Sequence, residues 1–163
     1  MMRIKLLVAL LSSMLFFGTH IVGQTVKKIK IEDLEAVMNK DDGKTRIVNL
    51  WATWCRPCVA EMPHFEELAQ EYADKNVELL FVSLDFPDQL ETRVEPFVAR
   101  KGIKSEVVLL DETNTEHWMP KISPAWSGAI PATLIVNKSR DIREFHAQEF
   151  SKEELEKLIQ STL

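Results

Sequence analysis

Val48-Asn49-Leu50-Trp51-Ala52-Thr53-Trp54-Cys55-Arg56-Pro57-Cys58-Val59-Ala60-Glu61-Met62-Pro63 contains both cysteines of the 163-residue chain. The first half belongs to an almost continuous apolar run, Thr45 to Trp51, the pattern of a strand buried on both faces. The second half opens a helix. Val59, Met62, Phe65, Leu68, Ala69 and Tyr72 recur at helical spacing to about Asp74, and Pro63 inside it predicts a kink. Two thiols separated by two residues at a strand-to-helix junction can close a small disulfide and reopen it. A structural staple is the poorer reading, because a bridge across so short a loop restricts the unfolded chain little. A zinc site would need a second cysteine pair, and Val59 follows Cys58 where covalent haem attachment needs His. The pair therefore reads as redox-active, with no metal and no cofactor beyond Cys55 and Cys58.

Upstream, Met1-Met2-Arg3-Ile4-Lys5 is a positive leader. Leu6 to Phe17 is apolar except for Ser12 and Ser13, and Gly18 to Gln24 is a small and polar exit. The apolar run is shorter than the roughly 20 residues a membrane span requires, so residues 1–24 are expected to be a secretory signal peptide. An uncleaved anchor extended through Ile21-Val22 is the other reading, since no Ala-x-Ala site is present. Export would place residues 25–163, a length that suits one domain, where disulfides persist. The composition is that of a globular domain, with 45% hydrophobic and 28% charged residues. A net charge of −5 without a Lys/Arg block argues against a nucleic-acid partner.

Further elements follow in order. Val26 to Ile31 is a short edge strand and Glu32 to Asn39 a helix ended by Asp41-Asp42-Gly43. Val77 to Leu84 is a second buried strand. A helix over Gln89 to Arg100 ends at Gly102, Val107 to Leu110 is a strand, and Glu112 to Trp118 is a short helix or turn. A loop from Pro120 to Gly128 leads to Ala129-Ile130-Pro131. Strands over Ala132 to Val136 and Asp141 to Ala147 form a hairpin, and Ser151 with Glu154 makes a capping box for the last helix. Alternating strands and helices closed by a hairpin predict an α/β fold with a mixed sheet.

At Trp51-Ala52-Thr53-Trp54-Cys55-Arg56-Pro57-Cys58 the sequence resembles the thioredoxin superfamily, and within it the exported TlpA/ResA-like thiol-disulfide oxidoreductases. Pro63 resembles the helix-kinking proline of these proteins. Ile130-Pro131 before Ala-Thr-Leu-Ile-Val resembles their cis-proline and following strand, and Glu61 their Glu-x-Pro. The 73 positions from Cys58 to Pro131 leave room for the strand-helix insertion of TlpA-like members, within about Asp85 to Trp118. The resemblance implies a three-layer thioredoxin-like fold, a mixed central sheet flanked by helices. Two departures from general thioredoxins resemble the TlpA-like branch: Asn49 stands in place of a buried aspartate, and the region of the buried lysine, near Phe81, is apolar.

The resemblance implies roles as well. Cys55, before the first helical turn, is the expected nucleophile, since unpaired N–H groups and the helix dipole favour a thiolate there. Cys58 is the expected resolving thiol. Glu61, three residues on and on the same helix face, is expected to accept its proton. Arg56 and Pro57 are expected to tune the pair and, with Trp54, to meet the partner. Pro131 is expected to be cis, with the Ile130 backbone offering strand-like hydrogen bonds to a substrate segment. Trp51 is expected in the core, Trp118 and Trp126 in core or loop packing rather than along the substrate groove, and His64 and His117 at the surface.

The resemblance implies a periplasmic reductant of disulfides in partner proteins, apocytochrome c before haem attachment among them. A membrane donor of the DsbD/CcdA type would recharge this monomer. A disulfide-donating oxidase of the same fold and a redox-inert binding module or metal chaperone are the alternatives. A peroxiredoxin-like peroxidase would need Thr three residues before its cysteine, where Ala52 stands.

Overall fold

The computed structural model describes residues 24–163, so the expected signal segment lies outside the described residues except for Gln24. In chain order the elements are β1 (Lys27–Ile29), α1 (Ile31–Met38), β2 (Thr45–Trp51), α2 (Arg56–Glu71), β3 (Val77–Ser83), α3 (Glu95–Lys101), β4 (Glu106–Leu110), α4 (Thr115–Ile122), β5 (Ala132–Asn137), β6 (Ile142–His146) and α5 (Lys152–Ser161). The sheet order is β1-β4-β3-β2-β5-β6. β1, β4, β3 and β2 run parallel, β5 pairs antiparallel with β2, and β6 pairs antiparallel with β5 at the edge. This is the expected mixed α/β sheet, and α3 with β4 occupies the expected insertion.

The period of two along each strand divides the core into two layers. Ile47 and Trp51 of β2, Leu79 and Phe81 of β3, and Val107 and Leu109 of β4 face α2, α3 and α5. Val48 and Leu50, Leu80 and Val82, and Val108 and Leu110 face α1 and α4. Trp51, Phe65 and Phe81 are fully buried, each worth about 1.5–3 kcal/mol of apolar transfer. Trp51 lies against Phe81 and Phe97, with centroid distances of 6.4 and 5.2 Å. Trp118 and Trp126 are core residues of the opposite layer, at 5.6 Å from each other.

Two elements depart from the sequence reading. The helix expected over Gln89 to Arg100 is divided into a 3-10 turn (Pro87–Gln89), a π turn (Leu90–Val94) and α3. Pro96 supplies the reason: it has no N–H for the Thr92 carbonyl, and its ring crowds that carbonyl, so the preceding turn widens. Glu95 N–H bonds instead to the Leu90 carbonyl. The helix expected over Glu112 to Trp118 begins later and continues through Pro120 to Ile122. Glu112 is engaged elsewhere, accepting the Ile31 N–H at 3.0 Å. Starting at Thr115 puts Trp118 and Ile122, one turn apart, against the sheet.

Candidate active site

Both cysteines sit where β2 ends and α2 begins. Ala52 and Cys55 close a turn through Cys55 N–H to the Ala52 carbonyl at 3.1 Å, and Val59 N–H makes the first helical bond to the Cys55 carbonyl. Cys55 is thus the N-cap of α2, and its Sγ accepts the Cys58 N–H at 3.3 Å. Pro57 falls in the first turn, where the N–H it lacks has no helical partner. A disulfide joins Cys55 to Cys58. Cys58 is fully buried and Cys55 is 5% exposed. Trp54, by contrast, is 60% exposed, and Arg56 and Pro57 are exposed as well. Among the described residues Arg56 forms no ion pair.

Glu61 follows Cys58 by one helical turn, on the inward face of α2, and is 1% exposed. Strand alternation brings Asn49, the polar member of the Ile47-Asn49-Trp51 stripe, to the same layer. Its Nδ2 donates to Glu61 Oε1 at 3.0 Å and to Thr133 Oγ1 at 3.2 Å. Thr133 is there because β5 pairs with β2 in the register Asn49 to Thr133. The other carboxylate oxygen, Oε2, accepts the Phe150 N–H at 2.9 Å. Local sequence places that donor: Ser151 and Glu154 complete the expected capping box of α5. Phe150, just before the cap, and Leu155 are buried in one cluster, as in a hydrophobic staple.

Burial pushes the Glu61 carboxyl up to about 7, against the two donors, which lower it; nearby Glu149 adds a small push upward. A carboxyl in that range can give and take a proton near neutral pH. Asn49 Oδ1 is buried without a hydrogen-bond partner. Turning the Asn49 amide over would offer that oxygen to a protonated Glu61.

The Ile130-Pro131 peptide is cis, as expected, and Pro131 is buried immediately ahead of β5. Ile130 packs against the cluster that holds Cys55 and Cys58. The structure thus brings Cys55, Cys58 and Glu61 to one layer of the core, with Ile130 packed against both layers, and leaves Trp54, Arg56 and Pro57 on the outside. His117 is exposed and His64 half-buried. Sequence reading misses a second buried carboxylate beside the cysteine turn, Asp85, and the exposed Phe86 that follows it (68%). The clue is an acidic residue ending the apolar run Val77 to Leu84.

A fold of this kind, with a paired Cys-x-x-Cys at the start of a helix and a cis-proline ahead of the neighbouring strand, defines a thioredoxin-like thiol-disulfide exchange protein. The model of the AhpC/TSA family matches residues 21–145, and the chain belongs to that family, within the ResA-like thiol-disulfide oxidoreductases. It is 34% identical over 135 residues to thiol-disulfide oxidoreductase ResA of Bacillus cereus, covering 82% of this chain and 68% of that one. It is 29% identical to ResA of Geobacillus kaustophilus, covering 86% and 77%. Among solved structures, the fold is similar to a thiol:disulfide interchange protein of the thioredoxin family from Chlorobium tepidum. The TM-score is 0.61, with 22% identity over 78% of this chain and 83% of that one.

Proposed function

We propose that this thiol-disulfide oxidoreductase works outside the cytoplasm as a reductant of disulfides in partner proteins, through Cys55 and Cys58. The observation that supports it most is a buried carboxyl, Glu61, one helical turn from Cys58 and poised near neutral pH. In the reduced protein the Cys55 thiolate attacks one sulfur of the partner disulfide. A mixed disulfide forms and the partner's other sulfur leaves as thiolate. Glu61 then takes the proton of Cys58, and the Cys58 thiolate attacks Cys55 Sγ. This releases the second partner thiol and leaves the Cys55–Cys58 disulfide. The partner gains two electrons and the protein loses two.

Trp54, Arg56 and Pro57 form the exposed rim that meets the partner, and the Ile130-Pro131 segment receives its chain. A membrane thiol donor of the DsbD/CcdA type restores the dithiol, and apocytochrome c is a candidate partner. The monomer needs no cofactor besides the cysteines. The N-terminal segment directs export, as a cleaved signal or as an anchor; among the described residues no helix is long and apolar enough to cross a membrane. The reduction potential tests the direction of flow. A value near about −270 mV supports a reductant, and one near about −120 mV makes the protein a disulfide donor.

A further inference from the structure

Asp85 lies at the end of β3, 2% exposed, and takes no part in the thiol chemistry above. Its Oδ2 accepts the Thr53 N–H at 2.9 Å and its Oδ1 the Thr53 hydroxyl at 2.5 Å. The Ser83 hydroxyl donates to Oδ2 at 2.8 Å. No Lys or Arg pairs with Asp85 among the described residues; its carboxylate is held by three donors, two of them from one residue. Leu84 N–H adds a backbone bond to the Trp51 carbonyl at 2.8 Å, so the ends of β2 and β3 are joined at two adjacent places. Thr53 is the first central residue of the turn from Ala52 to Cys55, and Trp54 is the second.

A two-oxygen grip on Thr53 leaves that turn little freedom to swing or twist. Hydrogen bonds to an acceptor carboxylate are also stronger than neutral ones. Beyond the gripped residue lie the sulfur of Cys55 and the exposed ring of Trp54. Attack on a disulfide requires near-linear alignment of three sulfurs, and small misplacements of a reacting group cost large factors in rate.

We propose that Asp85 is a positioning residue for disulfide exchange: by clamping Thr53 it fixes the Ala52–Cys55 turn and so aims Cys55 at the partner disulfide. The proposal rests on the thiol-disulfide reading above. Its catalytic group is still Cys55; Asp85 acts through Thr53.

The test compares the wild type with Asp85→Ala, Thr53→Val, the double variant and Thr53→Ser, with Asp85→Asn held in reserve should Asp85→Ala fail to fold. The rate constant for reaction of the reduced protein with insulin disulfides is measured per folded molecule, well below the melting temperature of each variant. The clamp predicts a loss of about tenfold for Asp85→Ala and about threefold for Thr53→Val. The double variant should be no worse than Asp85→Ala, because the two changes remove one shared interaction. Thr53→Ser keeps both donors and should stay within about twofold of wild type. In parallel, amide hydrogen exchange of Thr53 and Cys55 should quicken in Asp85→Ala, while β3 amides keep their protection. Unchanged rate constants per folded molecule, or losses that simply add, would overturn the proposal. Unchanged protection at Thr53 would overturn it too, even if the wild type proved inert towards insulin, an outcome that would instead defeat the reading of the protein as a reductant of protein disulfides.

Discussion

Two buried carboxylates flank the disulfide, and they are used differently. Glu61 sits below α2 with one donor on each oxygen, Asn49 Nδ2 and Phe150 N–H. Asp85 sits just past the end of β3 with three donors, two from Thr53 in the cysteine turn and one from Ser83. For Glu61 the cost of burial outweighs its two donors, and the group is left poised near 7. Asp85 has its oxygens taken up in holding a neighbouring loop. Burial is therefore common to both. What separates the two is how the surrounding donors are distributed and what the donors are attached to: a strand side chain and a helix lead-in for Glu61, the cysteine turn itself for Asp85.

The largest test removes the chemistry that both acids are taken to serve. Cys55→Ser should lower the rate of insulin reduction by about a thousandfold or more, since the one thiol left, Cys58, is fully buried. Cys58→Ser should leave the first attack intact and accumulate a mixed disulfide, seen as a mass increase that reductant removes. A variant lacking Cys55 that still reduced insulin would take the disulfide out of the comparison altogether.

Glu61→Gln comes next. Loss of a proton acceptor should slow the resolving step by about a hundredfold. It should also erase the rise in rate through pH 7 that a carboxyl poised there produces. Stopped-flow decay of the mixed disulfide across pH 5 to 9 measures both. A variant with the wild-type profile would reduce Glu61 to the same kind of structural acceptor as Asp85.

Stability offers an independent measure of the same carboxyl. Its pKa is raised in the folded protein, so between 4.5 and about 7 the folded chain holds a proton that the unfolded chain has released. The stability it contributes is full below about pH 4.5 and is lost as pH rises through 7. A shift of this size corresponds to about 3 kcal/mol. Glu61→Gln should therefore be the more stable protein at pH 8, with a flatter stability curve between pH 4.5 and 7. Denaturant titrations at several pH values would show it, and a curve as steep as wild type would assign the dependence to other groups.

How much of this is legible in the sequence follows the range of each interaction. Cys55, Cys58 and Glu61 fall within two helical turns, and their spacing alone places them together. The capping box at Ser151 and Glu154 is equally local. Asn49 stands out only as a departure from a familiar pattern. That it donates to Glu61 depends on how β2 lies against α2, which strand alternation suggests but does not fix. Asp85 and Thr53 are 32 positions apart, and nothing in either neighbourhood names the other. The division of the helix before α3 is hidden because apolar periodicity runs straight through it, while the deciding feature is a single N–H that Pro96 lacks. The start of α4 is hidden because Glu112 has the composition of a helix start, whereas its side chain is an acceptor for Ile31, far away in the chain.

The smallest effect is the most discriminating. Asn49→Ala removes one of the two donors that lower the Glu61 pKa and leaves its burial in place. The carboxyl should then rise above about 7, by about one pH unit or less for one neutral hydrogen bond. The midpoint of the mixed-disulfide decay profile would move alkaline by the same amount, with the plateau rate little changed because the acid itself remains. Asn49→Asp, which sets a second acid against Glu61, should push it in the same direction more strongly. If Asn49→Ala instead moved the midpoint acidic, solvent entering the space left by the amide would be hydrating Glu61. Its poise would then belong to the dryness of the layer beneath α2 rather than to the count of its donors.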